Sequence, residues 1–354
     1  MATELQQQKA IDPMDDPRDE PRRHPLVMAA GVAYVLGTAL AVALAGQILL
    51  SRDVVLLWLM VGLLVLSLNN PGRWVRGMLV DWLPFILFLF AYDFSRQLAD
   101  GTGWTPHLSP QLRVETFLFG TPIPTVWMQQ EFYNPPAAGI QDYAAWVVYL
   151  THFFAPVGLA AILWRFAHPL FKKWRTLVIA LSTAGFTTYV LYPAVPPWLA
   201  AKQGEISGVH KIKDEMFKHT GTEAIPSAVE KDWVNQVAAM PSLHSAFPVM
   251  MMLLFWHRGW KWRIPFLAYS VAMALTLVYT AEHFVVDIIA GWAYAFIIYF
   301  AATRWWDWRA RRKAEKEGRG DGDEPPPVPE PTAPREPAGV SYTAGGSGAP
   351  PAPG

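Results

Sequence analysis

AAMPSLHSAFPVMMMLLFW, residues 238–256, is a hydrophobic run that begins with a serine and a histidine, Ser242 and His244. The apolar part is typical of a helix in lipid, where ionisable side chains are rare and are functional candidates by default. The same pattern recurs in residues 275–292, LTLVYTAEHFVVDIIAGW, where a histidine and an aspartate lie between two apolar runs. These two stretches predict membrane helices that carry polar chemistry at one end.

The composition of the whole chain also indicates a polytopic membrane protein. Of its 354 residues, 52% are hydrophobic and only 16% are charged, whereas a soluble domain carries about 25% charged residues. No basic tract accompanies a nucleic-acid-binding motif, so no nucleic-acid partner is expected. The lack of cysteine excludes disulfides, thiolate metal sites and a cysteine nucleophile. We therefore predict an all-α membrane protein embedded in lipid.

Eight apolar segments predict a helical bundle with about six to eight transmembrane helices. Several of them fall short of the roughly 20 residues that a full crossing needs. The second is the weakest, because it could form a tight helical pair with the first instead of crossing. The segments are residues 26–50, 54–68, 78–94, 143–166, 176–192, 241–256, 264–281 and 283–305.

The short loops between these segments predict the orientation of the bundle. They are rich in arginine and lysine, as is the chain after the last segment, and all of them fall on one side if eight crossings are correct. Basic loops stay in the cytoplasm. We therefore predict a multi-pass protein of the plasma membrane with both termini cytoplasmic and with the long loops 95–142 and 193–240 outside.

Changes in composition divide the chain into four parts. Residues 1–24 are polar and residues 307–354 are rich in proline and glycine, so neither can bury a core and both are expected to be disordered cytoplasmic tails. Residues 25–142 are expected to form the N-terminal spans and an outer interfacial loop. Residues 143–306 are expected to form the catalytic core. The N-terminus is too long and acidic for a signal peptide, which favours a retained first span.

Three polar segments fall at the outer face of the predicted bundle. YPAVPPWLA (192–200) follows the fifth span, PSLHS (241–245) begins the sixth, and EHFVVD (282–287) joins the seventh to the eighth. His283 and Asp287 are four residues apart, so they share one face of a helix. A carboxylate bonded to one imidazole nitrogen fixes the tautomer and makes the other nitrogen more basic.

Two histidines from different helices suit phosphoryl transfer. A neutral histidine can attack phosphorus while a protonated one gives a proton to the leaving oxygen. Ser242 and the free N–H groups that begin the sixth span could hold phosphate oxygens, and Tyr192 is expected to pack or donate a hydrogen bond nearby. A purely structural histidine–aspartate bond and a zinc site are the alternatives. Zinc would lack a fourth ligand, so no metal and no cofactor is predicted.

These residues resemble the motifs of a known family. Pro-Ser-Leu-His-Ser followed by His-x-x-x-Asp is similar to the type 2 phosphatidic acid phosphatase superfamily of membrane lipid-phosphate phosphatases and phosphotransferases. The resemblance covers roughly residues 176–305. It implies that His244 protonates the leaving group, that His283 forms a phosphohistidine and that Asp287 orients it. The segment YPAVPPW, without the usual cationic motifs, resembles the branch of inositol phosphorylceramide synthases.

The absent cations raise the question of what balances the charge on the phosphoryl group, since phosphoryl transfer relies mostly on electrostatic stabilisation and positioning. Arg96, at the outer end of the third span, is the first candidate, with Asp93 one turn earlier as a hydroxyl-binding group. Lys202 is the second. Alternatively, Arg96 snorkels to lipid headgroups and Lys202 is an ordinary exposed loop residue.

The predicted function is that of a membrane lipid phosphotransferase whose site faces outward. It moves a phospho-head-group between a lipid donor and the hydroxyl of inositol, another polyol or a lipid. The first alternative is a lipid phosphate or polyprenyl phosphate phosphatase. The second is a non-enzymatic lipid-binding protein that kept the scaffold. Two further histidines, His152 and His168, are interpreted as hydrated residues of the membrane interface.

Overall fold

A computed structural model describes residues 25–45, 52–66, 68, 71–100, 105–220 and 236–320. Within these ranges the protein is helical and has no β-strand, only isolated bridges from Ala194 to His107 and to Ala238. The predicted all-α class is therefore confirmed. The predicted N-terminal tail, 1–24, and residues 321–354 of the predicted C-terminal tail lie outside the described residues.

Thirteen α-helices occur in the described ranges, and a π-helical turn, Met78–Trp82, joins the third to the fourth. The helices are α1 (Pro25–Ala45), α2 (Arg52–Leu66), α3 (Pro71–Gly77), α4 (Leu83–Asp100), α5 (Ser109–Phe119), α6 (Pro124–Phe132), α7 (Ile140–Phe166), α8 (His168–Leu191), α9 (Pro197–Lys202), α10 (Ile212–His219), α11 (Leu243–Phe255), α12 (Trp260–Tyr279) and α13 (Val285–Gly320). Helices α5, α6, α8 and α9 each carry a proline in the first turn, where no hydrogen bond is lost.

Each of the eight predicted apolar segments coincides with one of the helices α1, α2, α4, α7, α8, α11, α12 and α13. Among the described helices, α7, α12 and residues Val285–Glu315 of α13 are long and apolar enough to cross a membrane by length and composition. The chain is an integral membrane protein. The count of eight crossings and the orientation stay predictions.

Helix α11 is the centre of the bundle. Most of its residues are buried, which is expected of a helix that is apolar on every side. It packs against α7, α8 and α12. Gly291 of α13 lets that helix approach the start of α11, because a Cβ there would lie 2.2 Å from the carbonyl oxygen of Ser242. The sequence thus brings the two predicted motif helices together through a glycine.

A buried polar cluster around Asp81 fastens α8 to the π-helical turn. The carboxylate of Asp81 lies 2.8 Å from Nε2 of His168 and accepts a hydrogen bond from Nε1 of Trp164, while Arg175 donates to it at 3.2 Å. The interpretation of His168 as a hydrated interface residue is wrong, because its side chain is buried in this cluster. A buried carboxylate needs such partners, since an uncompensated charge is strongly destabilising.

The chain divides into two units, with the boundary between Arg304 and Trp305. In the second unit α13 continues as a basic helix, in which Arg309 and Arg312 lie over the rings of Trp305 and Trp308. The predicted division at residues 24, 142 and 306 stays a prediction.

Candidate active site

The first turn of α11 is fixed to the first turn of α13. Ser242 is the N-cap of α11, and its Oγ accepts the N–H of Ser245 at 3.3 Å. The backbone N–H of Ser242 donates to the carbonyl oxygen of Asp287 at 3.0 Å. Ser242 was predicted to hold phosphate oxygens, and here its side chain is completely buried and caps the helix. His244 follows in the first turn of α11, so the cap sets the position of its backbone.

A tight turn between α12 and α13 presents His283. Ala281 adopts φ 63°, a conformation that is uncommon for a residue with a Cβ and that is often found at functional sites. Its carbonyl oxygen accepts the N–H of Trp198 from α9 at 3.0 Å, and the N–H of His283 donates to Leu277 at 3.2 Å. The strained turn is therefore held from both sides.

The structure brings His244, His283 and Asp287 together. Nε2 of His283 lies 3.4 Å from Nδ1 of His244, and the ring centroids are 5.4 Å apart. Nδ1 of His283 lies 3.8 Å from Oδ2 of Asp287, which is the distance of an ion pair and too long for a hydrogen bond. The same oxygen accepts the N–H of Phe284 at 2.9 Å. One carboxylate thus both caps α13 and faces the imidazole.

Two side chains of α7 flank the ring of His244. Tyr149 stacks on it with centroids 5.6 Å apart and planes 18° apart, and the ring of His152 lies 3.9 Å away. The interpretation of His152 as a hydrated interface residue is therefore wrong, since it is half-buried against His244. The position of His152 could have been predicted from its three-residue spacing to Tyr149, because this spacing puts both side chains on one face of the helix.

A buried lysine from the long second loop also approaches the site. Lys213 of α10 has a side chain that is 5% exposed, and its Nζ lies 3.6 Å from Oε1 of Glu282. The same ammonium lies 5.4 Å from the ring centroid of Tyr149. Lys213 could not be predicted from the sequence, because a lysine in a long loop carries no signal of burial.

Glu115 of α5 caps the helix that follows His283. Its carboxylate accepts the N–H of Val285 at 3.1 Å and that of Val286 at 3.4 Å. Burial raises the pKa of Glu115 to about 6, although the two backbone hydrogen bonds oppose this rise. The first part of the predicted outer interfacial loop therefore contacts the start of α13.

The remaining predicted residues lie in different surroundings. Tyr192 is the C-cap of α8, and its ring stacks on that of His107 with the centroids 4.2 Å apart. Lys202 is exposed at the last residue of α9. Arg96 and Asp93 belong to α4, but their side chains lie outside the described residues. Whether any of these four side chains contacts a substrate stays a prediction.

A cavity of about 90 Å³ lies beside His152 and His244. Helices α4, α7, α8 and α11 line it with apolar side chains that include Phe85, Val178 and Phe247. Its polar lining comes from His152, Ser182, Tyr189 and His244. The cavity thus places the imidazole of His244 next to both polar and apolar side chains. Within the described residues, no group of three or more histidine, aspartate or glutamate side chains is arranged to hold a metal ion.

Residues 113–301, more than half of the chain, match the PAP2 superfamily. The chain belongs to this superfamily. The predicted family is thereby confirmed, and so is the prediction of an enzyme of the lipid phosphatase and phosphotransferase class. The matched region includes both histidines and the aspartate. No solved structure matches the chain.

Three curated relatives are similar to this chain. A phosphoinositol dihydroceramide synthase of Bacteroides thetaiotaomicron is 25% identical over 66% of this chain and 79% of its own length. An inositol phosphorylceramide synthase of Candida albicans is 23% identical over 59% of this chain and 45% of its own length. The catalytic subunit of that synthase in Saccharomyces cerevisiae is 27% identical over 67% of this chain and 64% of its own length. The match thus spans less than two thirds of either fungal protein.

Proposed function

We propose that this enzyme transfers the phosphorylated head group of a phospholipid to the hydroxyl of a second lipid, through a phosphohistidine at His283. The observation that carries this proposal is the pairing of His283 with His244, whose facing nitrogens are 3.4 Å apart, beside Asp287. Inositol is the polyol that we propose in the head group, because three relatives are named for the synthesis of phosphoinositol or inositol phosphoryl lipids.

The first step would be attack of Nε2 of His283 on the phosphorus of the donor lipid. The bond from phosphorus to the diacylglycerol oxygen breaks, and His244 gives its proton to that oxygen. The products are a neutral lipid alcohol and a head-group phosphate whose phosphorus is bonded to Nε2 of His283. The carboxylate of Asp287 stabilises the positive charge that the imidazole of His283 gains in this step.

The second step would reverse the roles of the groups. The hydroxyl of the acceptor lipid gives its proton to His244 while its oxygen attacks phosphorus, and the bond from phosphorus to His283 breaks. Water in place of the acceptor would give hydrolysis, so the outcome depends on what fills the space beside His244. The apolar side chains that line the cavity beside His244, among them Phe85 and Phe247, support a lipid acceptor.

Substrate binding has to part the two imidazole rings. The phosphorus and the leaving oxygen lie between nucleophile and acid in an in-line displacement. Nitrogens that are 3.4 Å apart leave no room for both atoms. We propose that the ring of His244 moves along the faces of Tyr149 and His152, with which it is in ring contact. The backbone of His283 keeps its place in the turn at Ala281.

The location that fits this proposal is the plasma membrane, with both termini cytoplasmic and with the site at the outer face. The basic short loops support that orientation. A cysteine-reactive, membrane-impermeant reagent would test it on a variant with a single cysteine at Lys202, which is exposed at the end of α9. Labelling in intact cells is the expected result, and labelling only after lysis would contradict the orientation.

Product analysis tests the proposed reaction. The purified full-length protein is incubated in vesicles with phosphatidylinositol labelled in the inositol ring, with and without a ceramide as the hydroxyl acceptor. We expect a labelled phosphoinositol lipid that requires the acceptor. Labelled, water-soluble phosphoinositol as the main product in both reactions would show a hydrolase instead. His257→Ala, at an exposed histidine away from the site, is the matched control for loss of a histidine.

A further inference from the structure

Helix α13 begins after a residue that cannot cap it. The carbonyl oxygen of Phe284 accepts the N–H of Ile288 at 3.3 Å, so Phe284 is the N-cap, and its side chain has no oxygen for the free N–H groups of the first turn. Asp287 supplies half of a capping box, because its Oδ2 accepts the N–H of Phe284 at 2.9 Å. The N–H groups of Val285 and Val286 still need an acceptor.

That acceptor comes from α5. Oε1 of Glu115 lies 3.1 Å from the backbone nitrogen of Val285, and Oε2 lies 3.4 Å from that of Val286. Glu115 and Asp287 are both fully buried, and a buried carboxylate requires hydrogen-bond donors. Two buried carboxylates from distant parts of the sequence therefore share the three N–H groups that begin α13.

This division leaves part of the Asp287 carboxylate available. Within the described residues, Oδ1 of Asp287 is buried and has no hydrogen-bond partner. Oδ2 faces Nδ1 of His283 at 3.8 Å, a contact that is too long for a hydrogen bond. The N–H groups of the helix therefore hold the carboxylate more firmly than His283 does.

The N–H groups of Val285 and Val286 would compete with His283 for Asp287 if Glu115 did not accept them. Asp287 lies in the same helical turn, and acidic side chains in a first turn interact favourably with its free N–H groups. A hydrogen bond from an N–H to a carboxylate is charge-assisted and strong, so it would prevail over the longer contact with His283. Loss of Glu115 would thus turn Asp287 away from the imidazole.

The charges of the two carboxylates also act on each other. Burial raises the pKa of Glu115 to about 6, the hydrogen bonds from Val285 and Val286 oppose this rise, and the charge of Asp287 adds to it. At a pH above this value Glu115 is ionised, and both of its oxygens accept an N–H. The two side chains are close enough for a change in one to affect the other.

We propose that Glu115 is a positioning residue, which accepts the N–H groups of Val285 and Val286 and thereby keeps the carboxylate of Asp287 turned towards His283. This inference rests on the proposed function, in which Asp287 stabilises the charge that His283 gains. Glu115 acts on the reaction through Asp287 and makes no contact with the phosphoryl group. It belongs to the loop 95–142 and precedes all of the sequence motifs.

Turnover of Glu115→Gln in the purified full-length protein is the first measurement. The amide keeps the size of the side chain and one acceptor oxygen, but its NH₂ group cannot accept the second N–H. We expect turnover per folded molecule to fall about tenfold, because the orienting carboxylate is displaced. The KM for phosphatidylinositol is expected to change less than about twofold, since no contact with the bound substrate is removed.

A double-mutant cycle with Asp287→Asn separates positioning from a purely structural role. If Glu115 acts through the charge of Asp287, adding Glu115→Gln to Asp287→Asn should lower turnover less than about twofold further. The labelled donor makes these slow rates measurable in long incubations. A tenfold further loss in the Asp287→Asn background, or a normal rate in Glu115→Gln alone, would overturn the proposal.

The matched control is Glu131→Gln, the same charge change at an exposed position of α6. It is expected to leave turnover and KM unchanged. A loss in Glu131→Gln equal to that in Glu115→Gln would mean that the net charge of the loop is responsible, and it would also overturn the proposal.

The two proposals fail in different ways. If Glu115→Gln lowers turnover equally with and without Asp287→Asn while His283→Ala is inactive, the positioning role is wrong and the phosphohistidine reaction stands. If His283→Ala turns over at the normal rate, the proposed function is wrong whatever Glu115 does.

Discussion

Two histidine–carboxylate pairs in this protein contain the same chemical groups but differ in how fully these groups are hydrogen-bonded. In the cluster at the π-helical turn, the carboxylate of Asp81 contacts His168 at 2.8 Å and receives further hydrogen bonds from Trp164 and Arg175. In the candidate active site, His283 and Asp287 are 3.8 Å apart. Within the described residues, Nδ1 of His283 and Oδ1 of Asp287 are buried and have no hydrogen-bond partner.

The difference indicates which pair is structural and which is available for a reaction. A buried polar group without a partner costs about 1–3 kcal/mol, and groups that stay unsatisfied in a native structure call for an explanation. The Asp81 cluster is saturated, so it can contribute to stability and has little capacity for a ligand. The His283 pair is unsaturated, and binding of a substrate can shorten its contact.

The largest expected effect is on turnover at the unsaturated pair. Asp287→Asn keeps the shape and an oxygen that can accept the N–H of Phe284, but it removes the charge that faces His283. We expect turnover to fall about 10,000-fold with a small change in the thermal midpoint. The measurement is formation of labelled lipid per folded molecule, and a loss below about tenfold would contradict the orienting role of Asp287.

The second effect concerns the saturated pair. Asp81→Asn leaves Arg175, whose side chain is 25% exposed, without its counter-charge. Breaking a buried ion pair by removal of one partner costs about 3–5 kcal/mol. We expect a lower thermal midpoint in detergent and unchanged turnover per folded molecule. If Asp81→Asn lowered turnover as strongly as Asp287→Asn, the number of hydrogen bonds that each carboxylate accepts would not distinguish a structural pair from a catalytic one.

A smaller effect is expected at the proposed acid. His244→Ala should slow transfer from natural phospholipids about 100-fold, since the alkoxide leaves without a proton. Donors with a good leaving group, such as a nitrophenyl phosphodiester, need no acid and should be affected far less. Equal slowing of both classes of substrate would remove His244 from the role of acid.

The smallest effect is expected at the cap of α13. Glu115 has a folded-state pKa of about 6 against an ordinary 4.5, so the folded protein binds its proton more tightly than the unfolded chain does. Stability is therefore expected to fall as the pH rises from about 4.5 to about 6 and to level off above that range, by about 2 kcal/mol. Glu115→Gln should remove this pH dependence of the thermal midpoint. An unchanged slope would mean that another group titrates.

The sequence predicted the helices and the main motif residues better than it predicted contacts between distant residues. The lengths of the apolar runs predicted the positions of eight helices. A helix in lipid is apolar on all sides, so its composition alone identifies it. The proximity of His244 and His283 followed from motifs at two helix starts on one predicted face. The sequence did not predict that α13 extends to Gly320, since its charged surface beyond residue 305 has no apolar signal.

Lys213 and His152 could not be predicted in this way. His152 lies within α7, and only packing of that helix on α11 brings its ring to His244. Lys213 lies in α10, and its side chain contacts Tyr149 and Glu282, which are distant from it in the sequence. Packing between distant parts of the chain sets both positions. The prediction for His168 was wrong for a similar reason, because its partner, Asp81, is distant in the sequence.

The central claim is that phosphorus becomes bonded to His283. Purified protein is mixed with phosphatidylinositol labelled at phosphorus, without an acceptor, and quenched within one turnover in alkali, where a phosphohistidine bond survives, and in acid, where it is lost. We predict label on the protein after the alkaline quench alone, on the peptide that contains His283, and none in His283→Ala. Transfer at the normal rate by His283→Ala, or label on another residue, would contradict the account.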